Sequence, residues 1–142
     1  MIQVRRARPE ELPIASAIYQ KVLRETFTWL PAASHNAQVF LRDAREEDIF
    51  VAVVERRIAG VAALYRRDSF LHSLYVDVRG AGVGKALLDH VAAAAPNALS
   101  LKCQTANAGA RAFYAREGFR EVAEGNDGVP WVRLERPSTA WS

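Results

Sequence analysis

The sequence predicts an α+β fold: a mixed central sheet of about seven strands with helices on both faces. Three observations carry that expectation. Runs rich in β-branched and aromatic residues alternate with stretches of helical period. Two pairs of strand-like runs, 48–55 with 58–65 and 119–124 with 131–135, are separated by turn residues and read as hairpins. Other strand-like runs are joined through a helix, which calls for a crossover and so mixes parallel with antiparallel pairing.

Taken in order, residues 2–8 begin with Ile2 and Val4 alternating with polar residues, a first strand. Pro9, Glu10 and Glu11 mark a helix start, with proline in the first turn and acids near the positive end of the dipole. Leu12, Ala15, Ile18, Tyr19 and Val22 then share a face, so the helix runs to Arg24, and Pro13 is tolerated because it lies in the first turn. Residues 26–31 break the pattern, and Ser34 caps a second helix with Ala37, Phe40, Leu41 and Ala44 on one face. Gly60, inside the second hairpin strand, signals a bulge or a close approach. Residues 71–78 form the fourth strand and 98–104 the fifth, with a helix between them. Residues 107–117 form a short helix, with Ala110, Phe113 and Tyr114 inward and Gly118 ending it. Residues 1–136 read as one domain and 137–142 as a loose tail.

The bulk numbers narrow the function classes. A length of 142 residues with half of them apolar and a quarter charged fits a soluble globular domain. The net charge of +3 is dispersed in pairs such as Arg5-Arg6 and Arg66-Arg67, with no basic run interleaved with aromatics, so nucleic acid is not an expected partner. No stretch has the length of a membrane span or the pattern of a signal peptide, which makes the expected location cytoplasmic and excludes a membrane partner. Cys103 is alone, which fits a reducing compartment. His35, His72 and His90 lack metal-ligand spacing, so no metal is expected.

The stretch that carries chemistry is 70–95, a strand, a glycine turn and a helix. Gly80, Gly82 and Gly84 alternate, and Val83, Leu87, Leu88 and Val91 follow at helical spacing. A glycine turn at a helix N-terminus presents backbone N–H groups at the positive end of the dipole, a site for an anion and most naturally a phosphate. Two familiar phosphate loops fail on spacing. A nucleoside-triphosphate loop needs glycine where Arg79 stands and Ser or Thr where Ala86 stands. A dinucleotide fingerprint begun at Gly80 puts its third glycine on Lys85, and begun at Gly82 puts it on Leu87.

What remains is R-x-x-G-x-G at Arg79, Gly82 and Gly84, after L-x-V at Leu74 and Val76. Downstream, Asn107, Ala110, Phe113 and Tyr114 form N-x-x-A-x-x-F-Y, closing on Gly118-Phe119. These two motifs, in this order and across residues 2–136, resemble the GNAT-type N-acetyltransferases. In one respect the chain departs from them: the family has about two more residues, commonly including a proline, between L-x-V and the arginine.

The resemblance implies an enzyme that moves the acetyl group of acetyl-coenzyme A to a primary amine by direct attack through a tetrahedral intermediate. A catalytically weak coenzyme-A-binding regulatory module is the alternative. It implies that the backbone from Arg79 through Gly80, Ala81, Gly82, Val83 and Gly84 to Lys85 binds the pyrophosphate, with Arg79 and Lys85 either adding charge or solvated. Backbone groups of Leu74, Tyr75 and Val76 pair with the pantetheine arm where two parallel strands splay, and Asn107 bonds the arm, caps its helix, or both. Tyr114 is the expected acid for the leaving thiolate, since a phenol gives up a proton as the C–S bond breaks.

The base is less determined by the motifs. Strict alternation puts His72 on the face of Leu74 and Val76, where relatives carry a carboxylate, so His72 is either the base or a structural or substrate contact. Glu25 is the other candidate base, and with Phe27 and Trp29 it forms the expected wall of the acceptor site. The acceptor is a small-molecule or peptide amine, and the chain acts as a monomer or a homodimer.

Overall fold

The computed structural model describes residues 1–26, 44–77 and 81–137. The chain forms β1 (Ile2–Arg6), a 3-10 turn (Pro9–Glu11), α1 (Leu12–Thr26), a second 3-10 turn (Ala44–Glu46), β2 (Asp48–Val54) and β3 (Arg57–Tyr65). After a third short turn (Arg66–Asp68) come β4 (Phe70–Val76), α2 (Val83–Ala94), β5 (Leu99–Gln104), α3 (Ala108–Arg116), β6 (Arg120–Asn126) and β7 (Pro130–Arg136). The helix expected after Ser34, the tail beyond Pro137 and the residues Phe27, Trp29, Val78, Arg79 and Gly80 lie outside the described residues.

The strands make one seven-stranded sheet in the order β1-β2-β3-β4-β5-β7-β6. Its pairings are antiparallel except β4 with β5, which are parallel. The sheet is therefore mixed, as the alternation of hairpins and a helical crossover requires. The β2–β3 hairpin turns on Glu55 and Arg56, whose φ values of 50° and 67° give the two-residue turn that matches strand twist.

Each face of the sheet is covered by helix. On one side α1 packs Ala15, Ile18 and Val22 against Ile49, Val51, Val61 and Ala63. On the other, α2 and α3 bury Val83, Leu87, Leu88, Val91 and Tyr114 against Phe50, Ala62, Leu64, Leu71 and the inward residues of β5 and β7. Val83, Leu87 and Leu88 with Val91 recur at helical spacing and are 0–1 % exposed, each worth roughly 1.5–3 kcal/mol of burial.

α2 sits close to the sheet because Gly60 leaves room for it. A Cβ at Gly60 would lie 2.9 Å from both Val83 Cγ1 and Leu87 Cδ1. The bulge expected there falls on its neighbour: Ala52 faces Gly60 and Val53 faces Ile58, so Ala59 is the extra residue. A second bulge lies in β4. Ala63 faces Ser73 and Leu64 faces Leu71, which leaves His72 as the extra residue.

Candidate active site

Of the glycine turn, residues 81–84 are described, and α2 begins at Val83 directly after Gly82. Gly82 caps α2 with φ of 80°, a left-handed conformation that side chains resist, and its carbonyl accepts the Ala86 N–H at 3.1 Å. The N–H groups of Val83, Gly84 and Lys85 belong to the first turn and have no i−4 carbonyl in the helix. Gly84 has a different reason to be glycine: a Cβ there would approach Phe113 Cζ at 3.3 Å, so α2 and α3 meet at this point. Ala81 is exposed just before the cap. The short link from β4 is anchored at its strand end. Asp77 donates its N–H to the Ala59 carbonyl at 2.8 Å, and its carboxylate meets Lys21 Nζ of α1 at 2.6 Å.

Beside this turn the sheet opens. β4 and β5 are paired only at Phe70 with Ser100 and Leu71 with Leu101, although the strands continue to Val76 and Gln104. Beyond Leu71 and Leu101 they part, and among the described residues no strand pairs with Leu74, Tyr75 and Val76 on that side of β4. Its opposite edge stays paired with Ala62, Val61 and Gly60 of β3. Such an edge is where an extended ligand carrying amide groups can add as a strand.

Tyr114 lies on the α2 and α3 side of this opening, buried against Phe113 and Phe119 at ring-centroid distances of 5.2 and 5.4 Å. Burial pushes its phenol above the ordinary tyrosine range, with Cys103 and then Tyr75 adding to the shift. Tyr75 packs on the α1 side, edge-on to Tyr19 at 5.1 Å, and burial raises its phenol as well, a Ser73 hydrogen bond opposing. Burial also raises the Cys103 thiol, to about 11, so at neutral pH it is a protonated wall of the site rather than a nucleophile.

His72 is the first residue beyond the last β4–β5 pair, at the apex of the opening. Its orientation corrects the expectation from alternation. Because His72 is the bulged residue, Leu71 and Leu74, three positions apart, both pack on the α2 side. The imidazole instead turns to the α1 side, where Nδ1 lies 3.0 and 3.1 Å from the two Glu47 carboxylate oxygens. A bulge beside a site re-aims a side chain in this way. Glu47, Glu46, Tyr65, Phe70 and His72 line an open pocket of about 270 Å³. The pocket was not foreseen from sequence. The only local signal was the acidic run Glu46-Glu47-Asp48 ahead of β2, which becomes a site only because β2, β3 and β4 lie side by side.

The remaining predicted residues are placed as follows. Asn107 caps α3, its Oδ1 accepting the Ala110 N–H at 3.1 Å. Lys85 is tied to Glu117 at 3.0 Å and Asp89 at 3.4 Å. Glu25 is exposed on the last turn of α1. Phe27, Trp29, Arg79 and Gly80 lie outside the described residues.

A parallel pair splayed beside a capped, glycine-turned helix defines an acyl-coenzyme A-type transferase scaffold, and comparison with known proteins agrees. The family described as an acetyltransferase (GNAT) domain matches residues 13–136. The chain belongs to that family and is an acetyltransferase. It is 30% identical to the peptidyl-lysine N-acetyltransferase YjaB of Salmonella typhimurium strain LT2, the match covering 84% of each chain. Its fold matches the solution structure of apo-form YjaB from Escherichia coli, with a TM-score of 0.79, 29% identity and coverage of 95% of this chain and 97% of that one. It also matches the PaiA N-acetyltransferase of Thermoplasma acidophilum in complex with coenzyme A, with a TM-score of 0.78, 16% identity and coverage of 96% and 99%. Among the described residues no helix is long and apolar enough to cross a membrane.

Proposed function

We propose that the protein moves the acetyl group of acetyl-coenzyme A directly onto the side-chain amine of a lysine in a peptide. The observation that carries this reading is the opening between β4 and β5, with the Gly82 turn beside it, Tyr114 on one side and His72 at its apex on the other. The residues suit the coenzyme. First-turn amides of Val83, Gly84 and Lys85 fit a pyrophosphate, extended by Ala81, Arg79 and Gly80. The unpaired edge of Leu74, Tyr75 and Val76 fits the amides of the pantetheine arm. Asn107 holds the start of α3 through its side-chain oxygen and keeps its amide nitrogen for the arm. Bound acetyl-coenzyme A supplies an activated thioester.

The chain's own residues move the protons. Tyr114, kept protonated by its burial, donates to the departing thiolate. His72 takes the proton of the attacking amine. Glu46 and Glu47 favour approach of a cationic side chain to the pocket, and the rings of Tyr65 and Phe70 suit its aliphatic stem. Glu25, Phe27 and Trp29 complete the acceptor wall. The printed activity of the Salmonella relative supports the choice of peptide lysine over other amines.

The test is thiol release from acetyl-coenzyme A with three acceptors: a lysine peptide, the same peptide with its lysine amines blocked, and a free polyamine. Release with the first alone is expected. Release with only the polyamine would overturn the acceptor. Coenzyme binding without release on any amine would leave a coenzyme-binding module instead of an enzyme.

A further inference from the structure

We infer that the acceptor peptide carries an acidic side chain within about two residues of the lysine it presents, and that Arg133 and Lys102 receive it. The inference rests on the reading of the acceptor as a peptide lysine and adds a preference among such peptides.

The first observation is the direction in which the two cations face. Leu99, Leu101 and Cys103 of β5 and Val132 and Leu134 of β7 pack in the core on the α2 side. Alternation therefore sends Ser100 and Lys102, with Trp131 and Arg133, to the α1 side, where the pocket lined by Glu46 and Glu47 opens. Lys102 and Arg133 are direct cross-strand partners, and like charges placed opposite each other are unfavourable. Among the described residues neither has a carboxylate within ion-pair distance. An anion brought between them relieves that repulsion.

The second observation is that both cations rest on fixed supports. Arg133 Nη2 donates to Ser100 Oγ at 3.0 Å, and its guanidinium stands 5.9 Å from the centroid of the Phe70 ring. Lys102 Nζ lies 4.3 Å from the centroid of the Trp131 ring, whose Nε1–H donates to Asp127 at 2.9 Å. The other side of that ring is set by Gly125, where any Cβ would collide with it. Arg133 has more N–H groups than the one it gives to Ser100, so it keeps donors for a carboxylate.

The third observation is continuity with the pocket. Phe70 lines the pocket with Glu46 and Glu47 and also carries the Arg133 guanidinium. A separation of 5.9 Å is within the reach of two residues of extended chain, at about 3.3–3.6 Å each. The face thus runs from carboxylates to cations across one ring. It matches a peptide whose ammonium lies toward Glu46 and Glu47 and whose carboxylate lies toward Arg133 and Lys102. A peptide with basic neighbours beside its lysine meets the same two cations with repulsion.

The experiment uses the full chain and three end-blocked peptides, each with one lysine flanked on both sides by Glu, Gln or Arg. The expected order of kcat/KM is Glu, then Gln, then Arg, with Glu about fivefold above Gln and the difference mainly in KM. The gap should narrow as salt is raised. This comparison is made in the wild-type enzyme, so it does not depend on any variant's folding. Arg133→Gln and Lys102→Gln should each bring the Glu-to-Gln ratio toward one, and Arg133→Lys should keep part of it. Equal kcat/KM for the Glu and Gln peptides in the wild type overturns the inference, as does a preference that survives in the double variant. A rise in KM for acetyl-coenzyme A in Arg133→Gln, with the peptide ratio unmoved, assigns the cations to the coenzyme and overturns it too. Acetylation of all three peptides at one rate refutes this inference alone. Acetylation of none refutes the lysine reading, and this inference with it.

Discussion

The Lys85 ammonium lies 3.0 Å from the Glu117 carboxylate, joining the first turn of α2 to the residue that ends α3. Glu117 is the largest cause of the upward shift of Lys85, followed by Asp89, and Asp89 in turn meets Arg136 at 3.2 Å. The Lys85 cation in the first turn of α2 is thus already engaged by carboxylates.

Glu117→Gln should therefore release Lys85 toward the phosphates and tighten coenzyme A binding about two- to fivefold, in line with the small worth of exposed pairs. The gain should fade at high salt. Titration calorimetry at low and high ionic strength checks it, and unchanged or weaker binding would show that Lys85 does not reach the pyrophosphate.

Tyr114→Phe should lower kcat by about a hundredfold while leaving coenzyme affinity within twofold, since only the donor proton is lost. Because burial raises the wild-type phenol, the rate should show no fall near the ordinary tyrosine pKa of about 10. A variant with wild-type kcat at every pH would remove Tyr114 from the chemistry.

Gly60→Ala should destabilise the fold by about 1–3 kcal/mol, because the added methyl meets Val83 and Leu87 of α2, themselves buried, at 2.9 Å. α2 would have to lift, taking the Gly82 turn with it, so coenzyme affinity should fall together with Tm. Thermal unfolding with and without coenzyme A measures both, and a Tm equal to wild type would refute the packing argument.

Acid stability should depend on Glu11. Its carboxylate accepts both Arg5 Nη atoms at 2.7 and 2.8 Å and the Arg8 N–H at 2.8 Å, closing the first turn before α1. The Arg5 bond, then the Arg8 amide, lower its pKa from 4.5 to about 2. A depressed folded-state value means stability that is complete above pH 4.5 and is lost as pH falls toward 2. With solvent screening at this outer turn the amount is roughly 1 kcal/mol. Denaturant titrations should show wild type and Glu11→Gln converging as pH drops through that window. A constant gap down to pH 2 would contradict the linkage.

Most strands, the α1, α2 and α3 helices and the glycine turn were legible because their signals are local. Val83, Leu87, Leu88 and Val91 mark a buried helical stripe by spacing alone. Gly82 and Gly118 mark helix ends, and both have positive φ. Asn107 at the cap and Tyr114 seven residues later are fixed by helical geometry once Ala108–Arg116 is a helix. The hairpin shows the limit of local reading: the turn centres on Glu55 and Arg56, one residue earlier than Arg56-Arg57, because φ at both had to be positive.

The sequence by itself determined the order of strands along the chain, the glycine turn ahead of α2 and the two motifs of an acetyltransferase, since each depends on residues close together. Only the tertiary structure decided which side of the sheet His72 faces, that the Glu47 carboxylate lies 3.0 Å from its Nδ1, and that Lys85 is engaged by Glu117. Alternation along β4 is a local rule, but the bulge that breaks it arises from register against β3, a pairing between segments. Glu47 and His72 are 25 positions apart and Lys85 and Glu117 are 32, so neither pair exists until the sheet and its helices assemble.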